Sequence, residues 1–260
     1  MLTYVEHIIL GIVQGLTEFL PISSTGHLVL FGKLFGLREA GLLFDTMLHF
    51  GTLIAVVVFY WSEVKHLMMN PTGRLARLLI AGTIPTAVIG LTLEDFFEGI
   101  SRTGQTIGLE FLATGVIIWG VESMRQGHRT FEEIGYRDAL IIGTLQGVAI
   151  LPAISRSGLT IAGALLRGID RADAARFSFL LSLPAILGAS VLQTKKLIDN
   201  PVDLTYLAPM LVGTGFAAVA GYFAIRWMVK IVSSGSMKGF AVYVWILGAI
   251  IVAMQLMGIW

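Results

Sequence analysis

Residues 20–26 (Leu-Pro-Ile-Ser-Ser-Thr-Gly) and residues 151–158 (Leu-Pro-Ala-Ile-Ser-Arg-Ser-Gly) each interrupt a long apolar segment, the first at residues 4–36 and the second at residues 138–168. Proline and glycine beside clustered hydroxyls end one helix and cap the next. Both segments are therefore predicted to be re-entrant helical hairpins whose polar tips lie inside the protein.

The composition around these two breaks is typical of a membrane protein. Of the 260 residues, 55% are hydrophobic and 13% charged, whereas soluble domains carry roughly 25% charged residues. The amino terminus carries Glu6 and lacks a basic leading region, so a cleaved signal peptide is not expected. Six further apolar stretches resemble membrane-spanning helices: residues 42–61, 75–93, 107–121, 174–192, 206–228 and 240–258. The prediction is one all-α integral membrane domain over residues 1–260.

A shift of 132 residues superimposes the two interrupted segments without a gap. The identities are Ile9, Gly11, Gln14, Gly15, Ile22, Ser23 and Gly26, which match Ile141, Gly143, Gln146, Gly147, Ile154, Ser155 and Gly158. Each half then holds one hairpin and three spans, and because three is odd, the second half is predicted to be inverted. The repeats, about 1–131 and 132–260, would place their site where the two copies meet near mid-membrane.

The distribution of Lys and Arg predicts the orientation, because short loops rich in these residues stay cytoplasmic. One side holds Lys65, Arg74, Arg77, Arg125, Arg129, Arg137, Arg167, Arg171, Arg176, Arg226, Lys230 and Lys238, and the other holds Lys33, Arg38, Arg102, Lys195 and Lys196. We therefore expect both termini and the mouth of the first hairpin to face outward, while the second hairpin enters from the cytoplasm.

Composition also excludes several classes of function. The net charge is +1, so there is no basic excess to hold nucleic acid, and none is expected as a partner. The sequence has no cysteine, which excludes disulfides, thiolate metal sites and cysteine nucleophiles.

The two tips carry groups suited to phosphate chemistry. The helix that begins after each tip directs free amides and the positive end of its dipole toward that tip, where a phosphate or diphosphate could bind. Arg156 adds a planar donor fork that suits phosphate oxygens. The hydroxyls expected to cap the helices or bind the anion are Ser23, Ser24 and Thr25 on the first tip, and Ser155 and Ser157 on the second.

Five further side chains could take part in phosphate chemistry. His27 could act as a general base, a proton donor or a nucleophile toward phosphorus. Glu18 could coordinate a divalent cation together with a diphosphate, or form a buried ion pair with Arg156. Gln14 lies on the same helical stripe as Glu18. Asp45 and His49 share a helix face and could line the same cavity.

Two motifs give the sequence a family resemblance. Residues 14–27 carry Gln14 and Glu18 followed by Ser-Ser-Thr-Gly-His, and residues 152–160 read Pro-Ala-Ile-Ser-Arg-Ser-Gly-Leu-Thr. The sequence resembles the undecaprenyl pyrophosphate phosphatase family of bacterial membrane proteins, also named for bacitracin resistance. It departs from the family pattern at Gln14, where many members have a second Glu, and at Ala153, where the motif has Gly.

The resemblance implies hydrolysis of undecaprenyl diphosphate to undecaprenyl phosphate, which recycles the lipid carrier for peptidoglycan synthesis in the bacterial cell membrane. It also implies a divalent cation such as Mg²⁺ or Ca²⁺, with Glu18 as its ligand or as a proton carrier, and His27 as base or nucleophile. Arg156 would hold the diphosphate, and Ser24 would be the alternative nucleophile. Ser155, Ser157 and Thr160 would donate hydrogen bonds near the substrate.

The sequence leaves open two other functions and the oligomeric state. A transporter or flippase for a phosphorylated lipid or anion would also use inverted repeats with broken helices. A noncatalytic scaffold would leave the intramembrane arginine and histidine unexplained. The sequence also leaves open whether the protein is a monomer or a homodimer.

Overall fold

The computed structural model describes residues 4–34, 42–124, 127–199 and 207–260 and is built of helices. Arg38 and Arg125 of the charge count lie outside the described residues, as do positions 35–36 of the first predicted hairpin and 206 of the fifth predicted span. The α-helices are α1 (Tyr4–Phe19), α2 (Ser24–Leu34), α3 (Leu42–Phe59), α4 (Trp61–Met69), α5 (Arg74–Thr92), α6 (Glu94–Thr103), α7 (Ile107–Glu122), α8 (Tyr136–Val148), α9 (Arg156–Leu166), α10 (Arg171–Asp199), α11 (Leu207–Ser234) and α12 (Lys238–Leu256).

Several helices are long and apolar enough to cross a bilayer, which confirms a multi-pass membrane protein. In the described part of the chain these are α5, α10, α11 and α12, or five spans if α3 and α4 count as one span bent by 87°. The remaining predicted span corresponds to α7, whose 16 residues fall short of the roughly 20 that a full crossing needs.

Both interrupted segments form the predicted helix–break–helix hairpins. In the first, α1 ends at Phe19 and α2 begins at Ser24; in the second, α8 ends at Val148 and α9 begins at Arg156. The breaks fall at the residues around Pro21 and Pro152, since proline cannot supply the amide that a continuing helix needs. The helix, break and helix of each hairpin are therefore confirmed, while the re-entrant course in the bilayer stays a prediction.

Glycines on the first arm of each hairpin let a neighbouring helix approach closely. A Cβ atom added at Gly11 would overlap the backbone carbonyl of Gly213 on α11, and one added at Gly143 would overlap the carbonyl of Gly82 on α5. Small residues at such positions allow helix backbones to pack tightly in membranes. These two contacts fix the depth of each hairpin against one long helix.

The contact registers also give the relative directions of the helices. The helices α1 and α11 run parallel, because Gly11 contacts Gly213 and, one turn later, Gly15 contacts Ala217. The helices α7 and α12 run antiparallel, because Gly108 contacts Gly248 whereas the later Gly115 contacts the earlier Ala241. Each direction agrees with the alternation of spans predicted from the sequence. The duplication itself stays a prediction.

Candidate functional site

The two hairpin tips meet through a pair of reciprocal hydrogen bonds. The Ser23 hydroxyl donates to the carbonyl oxygen of Pro152 at 2.7 Å, and the Ser157 hydroxyl donates to that of Leu20 at 3.0 Å. Both serines are buried, with Ser23 5% and Ser157 1% exposed. Each tip therefore satisfies a carbonyl that the other tip leaves free at the end of a broken helix.

Ser23 has a backbone conformation that serine rarely adopts. Its φ of 66° lies in the left-handed region, which costs about 1–2 kcal/mol for a residue with a Cβ atom. Such strain persists where the surroundings over-determine the backbone, and it concentrates at functional sites. Here the strained residue turns the chain from α1 into α2 directly before Ser24.

Glu18 and Arg156 form the centre of the site, one from each hairpin. Arg156 Nη2 donates to Glu18 Oε1 at 2.5 Å, while Glu18 Oε2 accepts from Ser24 Oγ at 2.6 Å and from Gln14 Nε2 at 3.0 Å. The His49 Nε2 atom lies 3.9 Å from Glu18 Oε2. The ion pair of Glu18 with Arg156, one of the alternatives that the sequence left open, is therefore present. Through Glu18 it joins Ser24 and Gln14 of the first hairpin to Arg156 of the second tip.

Two buried atoms of this cluster have no hydrogen-bond partner among the described residues: Gln14 Oε1 and Arg156 Nη1. Gln14 is fully buried, and an unpaired buried polar atom costs about 1–3 kcal/mol. One atom is an acceptor and the other a donor. The cluster can therefore still bind a cation at Gln14 Oε1 and an anionic oxygen at Arg156 Nη1.

His27 belongs to the first tip and lies between it and α12. Its Nδ1 contacts the carbonyl oxygen of Ser23 at 2.6 Å, and its Nε2 contacts the Tyr243 hydroxyl at 2.8 Å. The imidazole also packs edge-on against the Phe111 ring at 5.4 Å. Both ring nitrogens are engaged, whereas the Ser24 hydroxyl points directly at a carboxylate.

The second tip is held by α7, which the sequence analysis did not single out. Glu110 Oε2 accepts the backbone N–H of Ala153 at 2.6 Å, and its Oε1 accepts from Thr106 Oγ1 at 2.5 Å. Thr114 Oγ1 donates to the Ala153 carbonyl at 3.0 Å and accepts from the Ser155 N–H at 3.2 Å. The available signal was a carboxylate four residues before a threonine within an otherwise apolar span.

The remaining predicted residues lie around the cluster. Ser155 caps α9, because its Oγ accepts the N–H of Gly158 at 3.1 Å. Thr160 Oγ1 contacts Ser178 Oγ at 2.6 Å and donates to the Arg156 carbonyl at 2.8 Å, one turn along α9 from the ion pair. Thr25 lies in the first turn of α2 and is partly exposed.

We expect Glu110→Gln to disturb the second tip. The amide can keep only one acceptor oxygen, so either the Ala153 N–H or Thr106 loses its partner. Phosphohydrolase activity of the purified protein should fall by about tenfold. A matched Glu132→Gln change, at an exposed position outside the membrane helices, should leave the rate unchanged; equal losses in both variants would contradict a role for Glu110 in holding the tip.

A divalent cation has few protein ligands to use here. The described residues contain no cluster of three or more His, Cys, Asp or Glu side chains that could bind a metal ion. The donors at the tips are the Glu18 carboxylate, the unpaired Gln14 Oε1 and the Ser24 hydroxyl. This oxygen set fits a Mg²⁺ or Ca²⁺ ion that takes its other ligands from phosphate and water.

The fold and these tips define a multi-pass membrane protein with a buried site of phosphate-binding character. The sequence matches the family of bacitracin resistance protein BacA over residues 7–250. The chain is 50% identical over 255 residues to an undecaprenyl-diphosphatase of Carboxydothermus hydrogenoformans, a match that covers 97% of this chain and 98% of the relative. It is 52% identical over 254 residues to undecaprenyl-diphosphatase 4 of Bacillus thuringiensis, with 98% of each chain covered.

A more distant relative, the undecaprenyl-diphosphatase of Halothermothrix orenii, is 44% identical over 248 residues, which cover 94% of this chain and 95% of the relative. The chain belongs to the BacA family. This confirms the family resemblance that the two tip motifs indicated.

Proposed function

We propose that this protein is an undecaprenyl-diphosphatase, which hydrolyses undecaprenyl diphosphate to undecaprenyl phosphate and inorganic phosphate for reuse of the carrier in cell-wall synthesis. The observation that carries the proposal is the cluster in which Arg156 of the second tip meets Glu18, Ser24 and Gln14 of the first. The curated relatives named for this activity align over nearly the whole chain. The apolar tail of such a substrate would lie among the helices within the bilayer.

Arg156 binds the diphosphate head in this proposal. Its Nη1 is already available as a buried donor, and its bond to Glu18 can be exchanged for a phosphate oxygen without leaving the guanidinium unpaired. The free amides at the start of α2 and α9 supply further donors, and the dipoles of both helices favour the negative charge. Ser155 and Ser157 keep the start of α9 in place.

Ser24 is the nucleophile that the geometry favours, with Glu18 as its base. A hydroxyl 2.6 Å from a carboxylate oxygen has the geometry of an activated nucleophile. A bond forms between Ser24 Oγ and the terminal phosphorus, the phosphoanhydride bond breaks with its electron pair on undecaprenyl phosphate, and the serine proton passes to Glu18. Water then hydrolyses the phosphoserine and releases inorganic phosphate, with His27 as the proton acceptor for that water.

A divalent cation would be held by Glu18 and Gln14 together with the diphosphate. When bound, it would neutralise part of the negative charge of the phosphates. Glutamine at position 14 leaves one carboxylate at this place, so the substrate must provide most of the remaining ligands.

We propose that the chain lies in the bacterial cell membrane as an inverted repeat with both termini outside the cytoplasm. Support comes from the Lys and Arg count and from the paired contacts Gly11–Gly213 and Gly143–Gly82, in which equivalent glycines of the two hairpins meet a long helix. All residues of the proposed site come from one chain, so a monomer can form it.

A reporter fused to either terminus should be accessible from outside; cytoplasmic labelling of both would overturn the orientation.

The proposed activity is tested by phosphate release from undecaprenyl diphosphate by the purified protein, with and without a metal chelator. We expect release that falls on chelation and returns when Mg²⁺ or Ca²⁺ is added. Movement of the intact lipid across a vesicle bilayer without phosphate release would instead favour the transporter.

The nucleophile is identified by trapping the enzyme with substrate labelled in its terminal phosphate. The expected result is an acid-stable phosphoserine that is absent from Ser24→Ala and still forms in His27→Ala, where its breakdown is slow. An acid-labile phosphohistidine that disappears in His27→Ala would contradict the assignment of Ser24.

A further inference from the structure

The orientation of His27 depends on a residue from the far end of the chain. Tyr243, on α12, places its hydroxyl 2.8 Å from His27 Nε2, and the two rings lie nearly parallel, with centroids 5.7 Å apart and an interplanar angle of 13°. His27 is 2% exposed, while Tyr243 is 44% exposed on the outer face of its helix. The contact therefore links a buried ring to a residue that reaches toward the surroundings.

The two hydrogen bonds of His27 define its tautomer. The Ser23 carbonyl can only accept, so Nδ1 must carry the proton that it shares at 2.6 Å. In the neutral ring Nε2 is then the unprotonated nitrogen, and the Tyr243 hydroxyl donates to it. When Nε2 takes that hydroxyl proton and the phenol oxygen takes another, the hydrogen bond reverses, and the imidazolium donates to the phenol oxygen.

We infer that Tyr243 positions the His27 imidazole with Nε2 as the basic nitrogen, relays a proton to that nitrogen and then accepts its hydrogen bond. The inference rests on the proposed function, because it assigns His27 the proton taken from the water that hydrolyses the phosphoserine. Because the Tyr243 hydroxyl occupies the lone pair of His27 Nε2, the proton moves in two linked transfers. The hydroxyl gives its proton to Nε2 while the phenol oxygen takes a proton from the water, whose oxygen bonds to phosphorus as the bond from phosphorus to Ser24 Oγ breaks. Phe111 closes the other side of the ring at 5.4 Å, so the imidazole is held from two helices as well as from its own tip.

The Tyr243→Phe variant tests this role because it keeps the stacked ring and removes only the hydroxyl. We expect kcat to fall by about tenfold, with KM changed by less than about twofold, since one hydrogen bond to a reacting group is lost while substrate contacts remain. The matched control is Tyr222→Phe, because Tyr222 of α11 packs against Phe59 of α3 and Phe223 of its own helix and is not part of the tips. That control should retain the wild-type kcat.

Two further measurements separate positioning from a general structural effect. In the His27→Ala background, Tyr243→Phe should change kcat by less than about twofold, because a residue that acts through His27 loses its effect with it. Nitrogen NMR of histidine-labelled protein, with the His27 signal assigned from the His27→Ala difference, should show a protonated Nδ1 and an Nε2 that loses its hydrogen-bond shift in Tyr243→Phe.

Any one of three results would overturn the inference. These are an unchanged kcat in Tyr243→Phe, losses of kcat that multiply in the double variant, and a neutral His27 ring that is protonated at Nε2. Wild-type protein that releases no phosphate would refute the proposed function instead. The nitrogen spectra would then decide by themselves whether Tyr243 holds His27.

Discussion

Arg156→Ala is expected to lower kcat/KM for undecaprenyl diphosphate by about 10³-fold or more, because the variant loses the guanidinium that joins the two tips. It also leaves Glu18 buried without its counter-charge, and breaking such a buried pair costs about 3–5 kcal/mol. Arg156→Lys keeps the charge but not the planar fork, and should recover only part of the activity. Phosphate release by purified protein measures both effects on the reaction, and thermal unfolding in detergent measures the effect on stability.

Arg176→Ala is the matched control for this prediction. Arg176 of α10 also bridges two helices, through Glu63 of α4 at 2.9 Å, but it lies outside the tips. Its loss should leave kcat/KM within about threefold of wild type, since surface-accessible ion pairs contribute little. Comparable losses of activity in both variants would show that general helix contacts, not phosphate binding, explain the effect of Arg156.

Gly143→Ala is expected to have the largest effect on folding. The added methyl group would overlap the carbonyl of Gly82, so α8 must move away from α5 and carry the second tip with it. Overpacking of a close contact costs typically 1–3 kcal/mol and more where backbone must shift. The measurements are the yield of monodisperse protein and its midpoint of thermal unfolding, together with phosphate release from the protein that does fold.

Gly215→Ala provides the control, since nothing lies within 4 Å of a Cβ atom added at this position in α11. Alanine is the better helix former by about 1 kcal/mol, so this variant should be as stable as wild type or slightly more so. If Gly143→Ala retained wild-type stability and activity, the close packing of the second hairpin against α5 would be wrong.

The hairpins could be predicted because their signals are local. Pro21 and Pro152 sit beside clustered serines and interrupt apolar segments that would otherwise be continuous, and helix breaks of this kind follow from backbone chemistry alone. The 87° bend between α3 and α4 was not predicted. It occurs after Phe59 without a proline or glycine at the break, so nothing in the local sequence marks it.

The site was predictable where the groups are charged or clustered. A pairing of Glu18 with Arg156 was one of the expected alternatives, because an ionised group inside a membrane needs a partner of opposite charge. Tyr243 could not be found in this way, because a tyrosine in an apolar helix is equally suited to an interfacial position. Its contact with His27 spans 216 residues of sequence and exists only through the packing of α12 beside the first hairpin.

The central claim is that two hairpins form one catalytic site, and a double-mutant cycle on phosphate release tests it most directly. We would measure kcat/KM for wild type, Glu18→Gln, Arg156→Ala and the double variant. When two residues act as a unit, removing the second causes little further loss of activity once the first is gone. The double variant should therefore have about the same kcat/KM as the less active single variant. Losses that multiply across the two changes, or full activity in either single variant, would contradict a shared site.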